Sequence, residues 1–417
     1  MEDCPFTLFA GLDAHWDDVK VCLVKQGGEP VGRRTFDANA AGLAALVAWL
    51  REPCDERRQV LAVAVERPDG PVTESLVAAG LATFAINPKQ ADCFREYYSA
   101  AGAKDDDRDA RLLAAAAATD LGRFQRVEPD PPQVVLLREL ARTHEDLRSE
   151  ENRWANRLRE LLHRYFPALL RLASDNLLDP FVWELLERYP TPAKAARASA
   201  KTVAALLKKH RIRRFNAAGV LQVLKSPGLA LLPGTAETVA AQALLVVPLL
   251  RCACTQREAT ERQIERTLGA LQAELAAAQD PGDIALALTL PGLGTMGCAR
   301  LFGEGWRYLV ARDLEGLRTR GGSAPVTSAS GRSRAVHMRR ACNQHLRRGL
   351  HDWARGAVLH DPAARAHYAE LKARRHSTER AYRGVVDRLL PVLLAMLRDR
   401  TPHDPHRRRR DSSPEAA

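Results

Sequence analysis

The chain has 417 residues, 46% of them hydrophobic and 27% charged, with a formal net charge of +11. That length exceeds one ordinary core, and the composition excludes a disordered or fibrous chain, so two or three packed domains are expected. The basic balance favours a polyanionic partner. The eight scattered cysteines contain no C-x-x-C pair, which argues against a zinc site or a disulfide framework.

The N-terminus, "MEDCPFTLFAGLD", carries no basic segment followed by a long apolar stretch. The best apolar run, at 240–250, is short of the ~20 residues that cross a bilayer. A soluble protein of a reducing cytoplasm, without a membrane partner, is the expectation. Residues 7–13 and 18–24 read as strands around the turn "AHWD", and a third short strand falls near "GRRTFD". A helix capped by Asn39 follows, then a buried strand at 59–66 with an unbroken apolar run. "GPVTESLVAAG" reads as a helix closed by Gly80, and "LATFAINP" as a strand stopped by Pro88. Three strands, helix, strand, helix, strand, helices is the order of an RNase H-like α/β fold.

From about 130 to 282 the sequence predicts helix almost throughout. Leu140, Leu147, Trp154 and Leu161 fall seven apart, and Leu137, His144, Glu151, Leu158 and Tyr165 form the partner series. That spacing predicts a coiled-coil seam, in a helical hairpin or a dimer. A second long helix with Ile264, Leu268, Leu271 and Leu275 on one stripe is expected to return antiparallel, with a small helical insertion at 175–232 between them. The domain reading is 1–128 for the α/β domain, 129–282 for the helical middle, 283–400 for a mainly helical C-terminal domain and 401–417 for a disordered tail.

Acidic residues carry the first chemical signal. Asp13 ends the first strand and Glu66 the fourth, which places both at one edge of the sheet. "GAKDDDRDARLL" then opens a helix with four aspartates in five positions. Asp106 and Asp109, three apart, share a helix face that can point at Asp13 and Glu66, whereas Asp105 and Asp107 point elsewhere. Four carboxylates at one point suit a pair of Mg2+ or Mn2+ ions and phosphodiester cleavage. Sugar kinases of the actin-like type also begin with a hairpin carrying G-x-D. They need small residues after the aspartate to admit phosphate, and "DAHWDD" does not supply them.

The second signal lies at 318–348, which holds eight arginines and no acidic residue. Arg339, Arg340, Arg347 and Arg348, with Asn343 between, are expected on one helix facing a nucleic-acid backbone. The stretch before it reads as a flexible Ser/Gly loop in which a serine ringed by arginines can attack phosphorus. "LPGLGTMGCARLF" at 290–302 offers Gly292 and Gly294 in a turn whose backbone N–H groups suit a phosphate.

Together these stretches resemble the DEDD-type transposases of insertion sequences, the IS-one-ten group, over nearly the whole chain. The matching pieces include "GLDAHWDDVKVCLV", "VAVE", "INPKQADCFREYYSAAGAKDDDRDA", "LPGLGTMGCARLFGEG" and "GGSAPVTSASGRSRAV". The resemblance implies a RuvC-like domain, a coiled-coil middle and a C-terminal transposase domain bearing a serine. It assigns Asp13, Glu66, Asp106 and Asp109 to metal, the last two within K-x-D-x-x-D-A beginning at Lys104. It assigns Ser330, followed by Gly331, as nucleophile, with Ser328 a weaker candidate. It further implies Mg2+-dependent recombination through a covalent serine–DNA intermediate, assembly as a dimer or tetramer, and guidance by an RNA encoded beside the gene. Asp105 departs from the family, which usually carries a small polar residue there.

The resulting expectation is a DNA transposase acting on element ends and target DNA in a prokaryotic, nucleoid-associated cytoplasm. Lys104, Gly292, Gly294, Arg332, Arg334, Arg339, Arg340, Arg347 and Arg348 are the nucleic-acid candidates. Because the carboxylates and the serine lie far apart in sequence, completion of the site between subunits is a further expectation. A hydrolytic RuvC-like nuclease without a covalent intermediate is the alternative, and a nucleic-acid-binding protein with structural carboxylates is a second.

Overall fold

The computed structural model describes residues 5–57, 60–86, 91, 94, 106–330 and 333–405, with only the backbone at 54–57, 106–108, 328–329 and 333–334. It divides into two compact units, Met1–Pro131 and Pro132–Ala417.

In the first unit, β1 (Leu8–Ala14) and β2 (Asp18–Lys25) form an antiparallel hairpin continued by β3 (Pro30–Asp37). After α1 (Ala40–Arg57), β4 (Leu61–Val65) pairs parallel to β1. After α2 (Pro71–Ala78), β5 (Ala82–Ala85) pairs parallel to β4. A two-residue strand that the sequence did not reveal, β6 (Gln125–Arg126), closes the order β3-β2-β1-β4-β5-β6. Asn39 does cap α1, accepting from the Gly42 N–H at 2.9 Å.

Strand alternation sorts the side chains onto two faces. Leu8, Ala10 and Leu12 lie in one core with α1 and α2, contributed by Leu46, Leu50, Val72 and Leu76. Phe9, Ala62 and Ala64 lie in the other core, under Ala110, Leu113, Ala114 and Ala117 of α3 (Asp106–Thr119).

The second unit is helical apart from one hairpin. Its axis is a pair of long helices, α4 (Pro132–Tyr165) and α5 (Thr235–Ala278). They run antiparallel, since Glu151 meets Arg257 while the earlier His144 meets Glu261, one turn later in α5. The expected seam is therefore filled within one chain: Leu137, His144, Glu151, Leu158 and Tyr165 are all buried. Five short helices between 167 and 224 pack one end of the pair into a core with Leu158, Leu162, Ala243 and Val247. Helix α5 is long and apolar enough to cross a membrane by length and composition. Its Val239, Ala243, Val246, Val247 and Leu250 belong to that same core.

At the other end, Val134, Leu137, Ile264 and Leu268 join a core with α6 (Asp283–Leu288), α7 (Thr295–Val310), α8 (Leu314–Arg320), α9 (Gln344–His360), α10 (Pro362–Ala373) and α11 (Thr378–Asp399). Buried carboxylates tie these helices to α4. Glu304 of α7 accepts from Arg142 at 2.7 and 3.1 Å and from Asn343 at 2.7 Å. Glu145 accepts from Arg348 and lies 2.8 Å from His345 Nδ1. Burial alone would raise both carboxyls. Arg142 and Asn343 at Glu304, and Arg348 and His345 at Glu145, outweigh it and hold both below the ordinary value of 4.5.

Two local expectations are overturned. The segment before the arginine block is not a loop: α8 is followed by an antiparallel hairpin of β7 (Val326–Ser330) and β8 (Ser333–His337). Nor do the four arginines share a helix. Asn343 Oδ1 accepts from the Leu346 N–H at 2.9 Å and so starts α9 there, leaving Arg339 and Arg340 outside and only Arg347 and Arg348 within.

Glu304→Gln is expected to destabilise the second unit by about 3 kcal/mol, because Arg142 loses its buried carboxylate and keeps only the exposed Glu139 at 3.4 Å. Carboxyls with depressed folded pKa values stabilise above the unfolded value of 4.5 and lose that contribution as pH falls through the folded one. The native chain should thus weaken steeply on acidification below about pH 4.5 and the variant less so. Urea unfolding followed across that range measures both effects.

Candidate active site

The sheet edge is built by a register. Leu12 of β1 pairs with Val65 of β4, so Asp13 and Glu66 follow one another at the carboxyl ends of adjacent parallel strands. Asp13 continues the row Phe9, Gly11, and Glu66 continues the row Ala62, Ala64, both on the face covered by α3.

What brings the helix down is Gly11. A Cβ there would lie 2.1 Å from the Ala110 carbonyl oxygen and 2.3 Å from the Ala114 nitrogen, so strand and helix touch backbone to backbone. Asp109, the residue before Ala110, is buried at 7% exposure. It therefore sits one residue from this crossing, and Asp13 two residues from it along the strand. Asp106 opens α3, with its side chain outside the described residues. Lys104 lies outside them altogether.

Two neighbours went unnoticed in the sequence. His15 Nε2 stands 3.4 Å from Asp13 Oδ2. Lys20 is the cross-strand partner of Asp13 in the β1–β2 register and half-buried. The register of a tight hairpin could have exposed Lys20, since cross-strand partners share a face. Trp16, in the same turn, is 90% exposed.

Asp13 and Glu66 on this sheet face and Asp109 on the helix above it offer carboxylate oxygens, the donor type of hard divalent cations such as Mg2+ or Mn2+. Among the described residues, no group of three His, Cys, Asp or Glu lies close enough to hold an ion. The donor type of Asp13, Glu66 and Asp109 fits such a cation.

In the second unit Ser330 is exposed at the end of β7, paired with Ser333. Arg332 between them lies outside the described residues, as do the side chains of Ser328 and Arg334. Arg339 donates to the Ala324 carbonyl at 3.3 Å, Arg340 is exposed, and Arg347 donates to the Arg339 carbonyl. Arg348, expected to face nucleic acid, is paired with Glu145. The PGLG turn has a packing reason of its own. Gly292 has φ +76°, and a Cβ there would come within 2.2 Å of the Gly356–Ala357 backbone of α9. Gly294 is the N-cap of α7, with open space about it.

Comparison with known proteins meets both regions. A family model described as a transposase, the DEDD type of IS110 elements, matches residues 10–167, which include Asp13, Glu66, Asp106 and Asp109. A second, described as the IS116/IS110/IS902 transposase family, matches residues 284–369, which include Ser330. A putative transposase, y4uE, of Sinorhizobium fredii is 45% identical over 210 residues, covering 50% of this chain and 58% of that protein. The mini-circle putative transposase for IS117 of Streptomyces coelicolor is 28% identical over 408 residues, 96% of each chain. An uncharacterized 43.6 kDa protein of insertion element IS110 from the same organism is 30% identical over 306 residues, 72% of each.

Gly11→Ala should destabilise the first unit by about 2–3 kcal/mol, seen as a lower unfolding midpoint. The atoms in the way are backbone, so Ala114→Gly added to it should not restore stability. Rescue by that second change would mean that side chains, not backbones, set the helix height.

Proposed function

Because the chain belongs to the IS116/IS110/IS902 family of transposases, we propose that it is the recombinase of an insertion sequence, cutting and rejoining DNA with Ser330 as nucleophile and a carboxylate site for metal. The observation that carries this reading is the placement of Asp13 and Glu66 at adjacent strand ends under a helix bearing Asp109. That is the arrangement expected of an RNase H-like, RuvC-type domain. Asp13, Glu66, Asp106 and Asp109 would hold Mg2+ or Mn2+. Bound there, the metal supplies charge neutralisation at the scissile phosphate.

Ser330 Oγ forms the new bond to phosphorus as the bond to the leaving strand's oxygen breaks. The serine proton passes to solvent and the departing oxygen takes one up. A DNA hydroxyl then attacks the phosphoserine ester and releases Ser330 unchanged, so one phosphodiester is exchanged for another without an external energy source. Exposure of Ser330 at a hairpin end suits a nucleophile that must reach into DNA. Arg332 and Arg334, close to Ser330 in the chain, would supply positive charge for the pentacoordinate phosphorus, and Arg339, Arg340 and Arg347 for the backbone further off. The carboxylates and the serine belong to separate units of the chain, which favours assembly as a dimer or tetramer on DNA. The family likeness also supports an RNA transcribed beside the gene as the guide that pairs with target and donor DNA. The setting in which these partners meet is the prokaryotic nucleoid.

Incubation of the protein with Mg2+, element-end DNA and RNA from the flanking region should give a protein–DNA adduct on a denaturing gel. Ser330→Ala should abolish the adduct and the cleavage together. Cleaved DNA without an adduct, undiminished in Ser330→Ala, would instead make the protein a hydrolytic nuclease. Millimolar Mg2+ should also raise the unfolding midpoint of the native first unit, and Asp13→Asn should remove that rise.

A further inference from the structure

Near the foot of the β7–β8 hairpin, cationic side chains gather from two helices. Arg347 of α9 lies against the backbone of the segment leading into β7. A Cβ on Gly322, at φ +71°, would come within 2.6 Å of its Nη2 and 2.9 Å of its Nε. That Nε is buried without a hydrogen-bond partner. From α11, Arg383 reaches Met338, the residue that follows β8, and places Nη1 against its thioether, a weak acceptor. Arg380 stands one turn earlier on α11, with its side chain exposed.

Two carboxylates lie nearby, and both are engaged. Glu379 Oε2 is 2.9 Å from His351 Nδ1, and Asp387 Oδ1 accepts from Arg318 at 3.0 Å. Among the described residues Arg347, Arg380 and Arg383 form no ion pair. Burial, then the guanidiniums of Arg347 and Arg380, hold Arg383 below the ordinary arginine value against the opposing pull of Glu379 and Asp387. Burial lowers His351 as well, with Arg383 and Arg347 adding to it against Glu379, so the imidazole is neutral at pH 7. Three guanidiniums thus stand together against two carboxylates that are bonded to other side chains, and the cluster presents a site for an anion with several acceptor oxygens. The forked donors of arginine match phosphate oxygens in pairs.

We propose that Arg347, Arg380 and Arg383 form a phosphodiester-binding cluster that grips a nucleic-acid backbone at the foot of the β7–β8 hairpin. Arg380 and Arg383 lie outside the arginine-rich stretch that the sequence singles out, and only the packing of α11 beside α9 brings them to it. The hairpin spans about 15 Å over five residues, or four to five base-pair steps of duplex rise. The cluster thus fixes the backbone at a set distance from Ser330. This inference rests on the reading of the chain as a nucleic-acid recombinase.

The test is the salt dependence of binding by the full-length chain in EDTA, where no cleavage occurs. Fluorescence anisotropy is read with labelled element-end duplex in one arm and flanking-region RNA in the other. Each phosphate contact contributes about 0.9 to the slope of log K against log salt on duplex DNA and about 0.7 on single strands. Arg380→Gln with Arg383→Gln should therefore flatten the slope by about 1.8 in the duplex arm, or about 1.4 on single-stranded RNA, and weaken binding about 10- to 100-fold at physiological salt. The arm that changes identifies which nucleic acid occupies the cluster. Arg388→Gln, an exposed arginine further along α11, removes charge elsewhere and should leave the slope unchanged. Arg380→Gln alone, at an exposed position, should give half the effect and serves if the double variant does not fold.

A native slope that stays steep in the double variant, or flattens equally in Arg388→Gln, would overturn the cluster and leave nucleic-acid binding standing. Native protein with no salt-dependent binding in either arm would overturn the recombinase reading and the cluster with it.

Discussion

The candidate site hangs on one contact, the approach of α3 to β1 at Gly11. A helix ordinarily rides about 10 Å above a sheet on its side chains. Here a glycine on the strand and alanines on the helix remove that layer, so the Ala110 carbonyl and the Ala114 nitrogen come down onto the strand itself. The alanine-rich run that follows the aspartates is thus part of the site's construction. It lowers the helix onto the strand one residue past Asp109. Larger residues at 110 or 114 would lift Asp109 away from the row that carries Asp13.

The second unit uses charge where the first uses close backbone contact. Glu304 is almost wholly enclosed, yet it joins three helices by accepting from Arg142 on α4 and from Asn343 at the start of α9. Asn343 is thereby engaged at both ends, since its amide nitrogen donates to Glu304 while its oxygen caps α9. The helix that carries Arg347 starts where it does because of that asparagine. The buried carboxylate therefore governs where the arginines downstream can point.

Much of this was open to reading in the sequence, for identifiable reasons. The strands of the first unit announce themselves by alternation and by the unbroken run Leu61–Val65, and the edge carboxylates follow from strand ends. Where the reading failed, the signals were weak or non-local. Strand β6 has two residues and exists only because β5 offers it an edge. The β7–β8 hairpin is made of serine, alanine and arginine as well as valine, a composition that also suits a loop, and its pairing is decided by the partner strand. The arginine block was read as one helix because arginine favours helices, while the capping signal of Asn343 was overlooked among the basic residues. Arg348, expected at a nucleic-acid backbone, instead pairs with Glu145, some 200 residues away in the chain. The role of Gly292 was hidden for the same reason, since only the packed structure shows α9 lying against it.

The polar middle of the α4–α5 pair has a mechanical consequence. Two apolar cores sit at the ends of this antiparallel pair, and aliphatic seams of that kind tolerate sliding by a heptad. Between them His144 faces Glu261 and Glu151 faces Arg257, largely removed from water. A slip of seven residues, about 10 Å, would strand each of these groups against hydrocarbon. The pair therefore behaves as a ruler of fixed length, about 50 Å for the 34 residues of α4. Force applied at the cap of short helices is delivered to the C-terminal core undiminished by slippage. Lengthening or shortening of one helix during the history of the element can persist only with a matching change in the other.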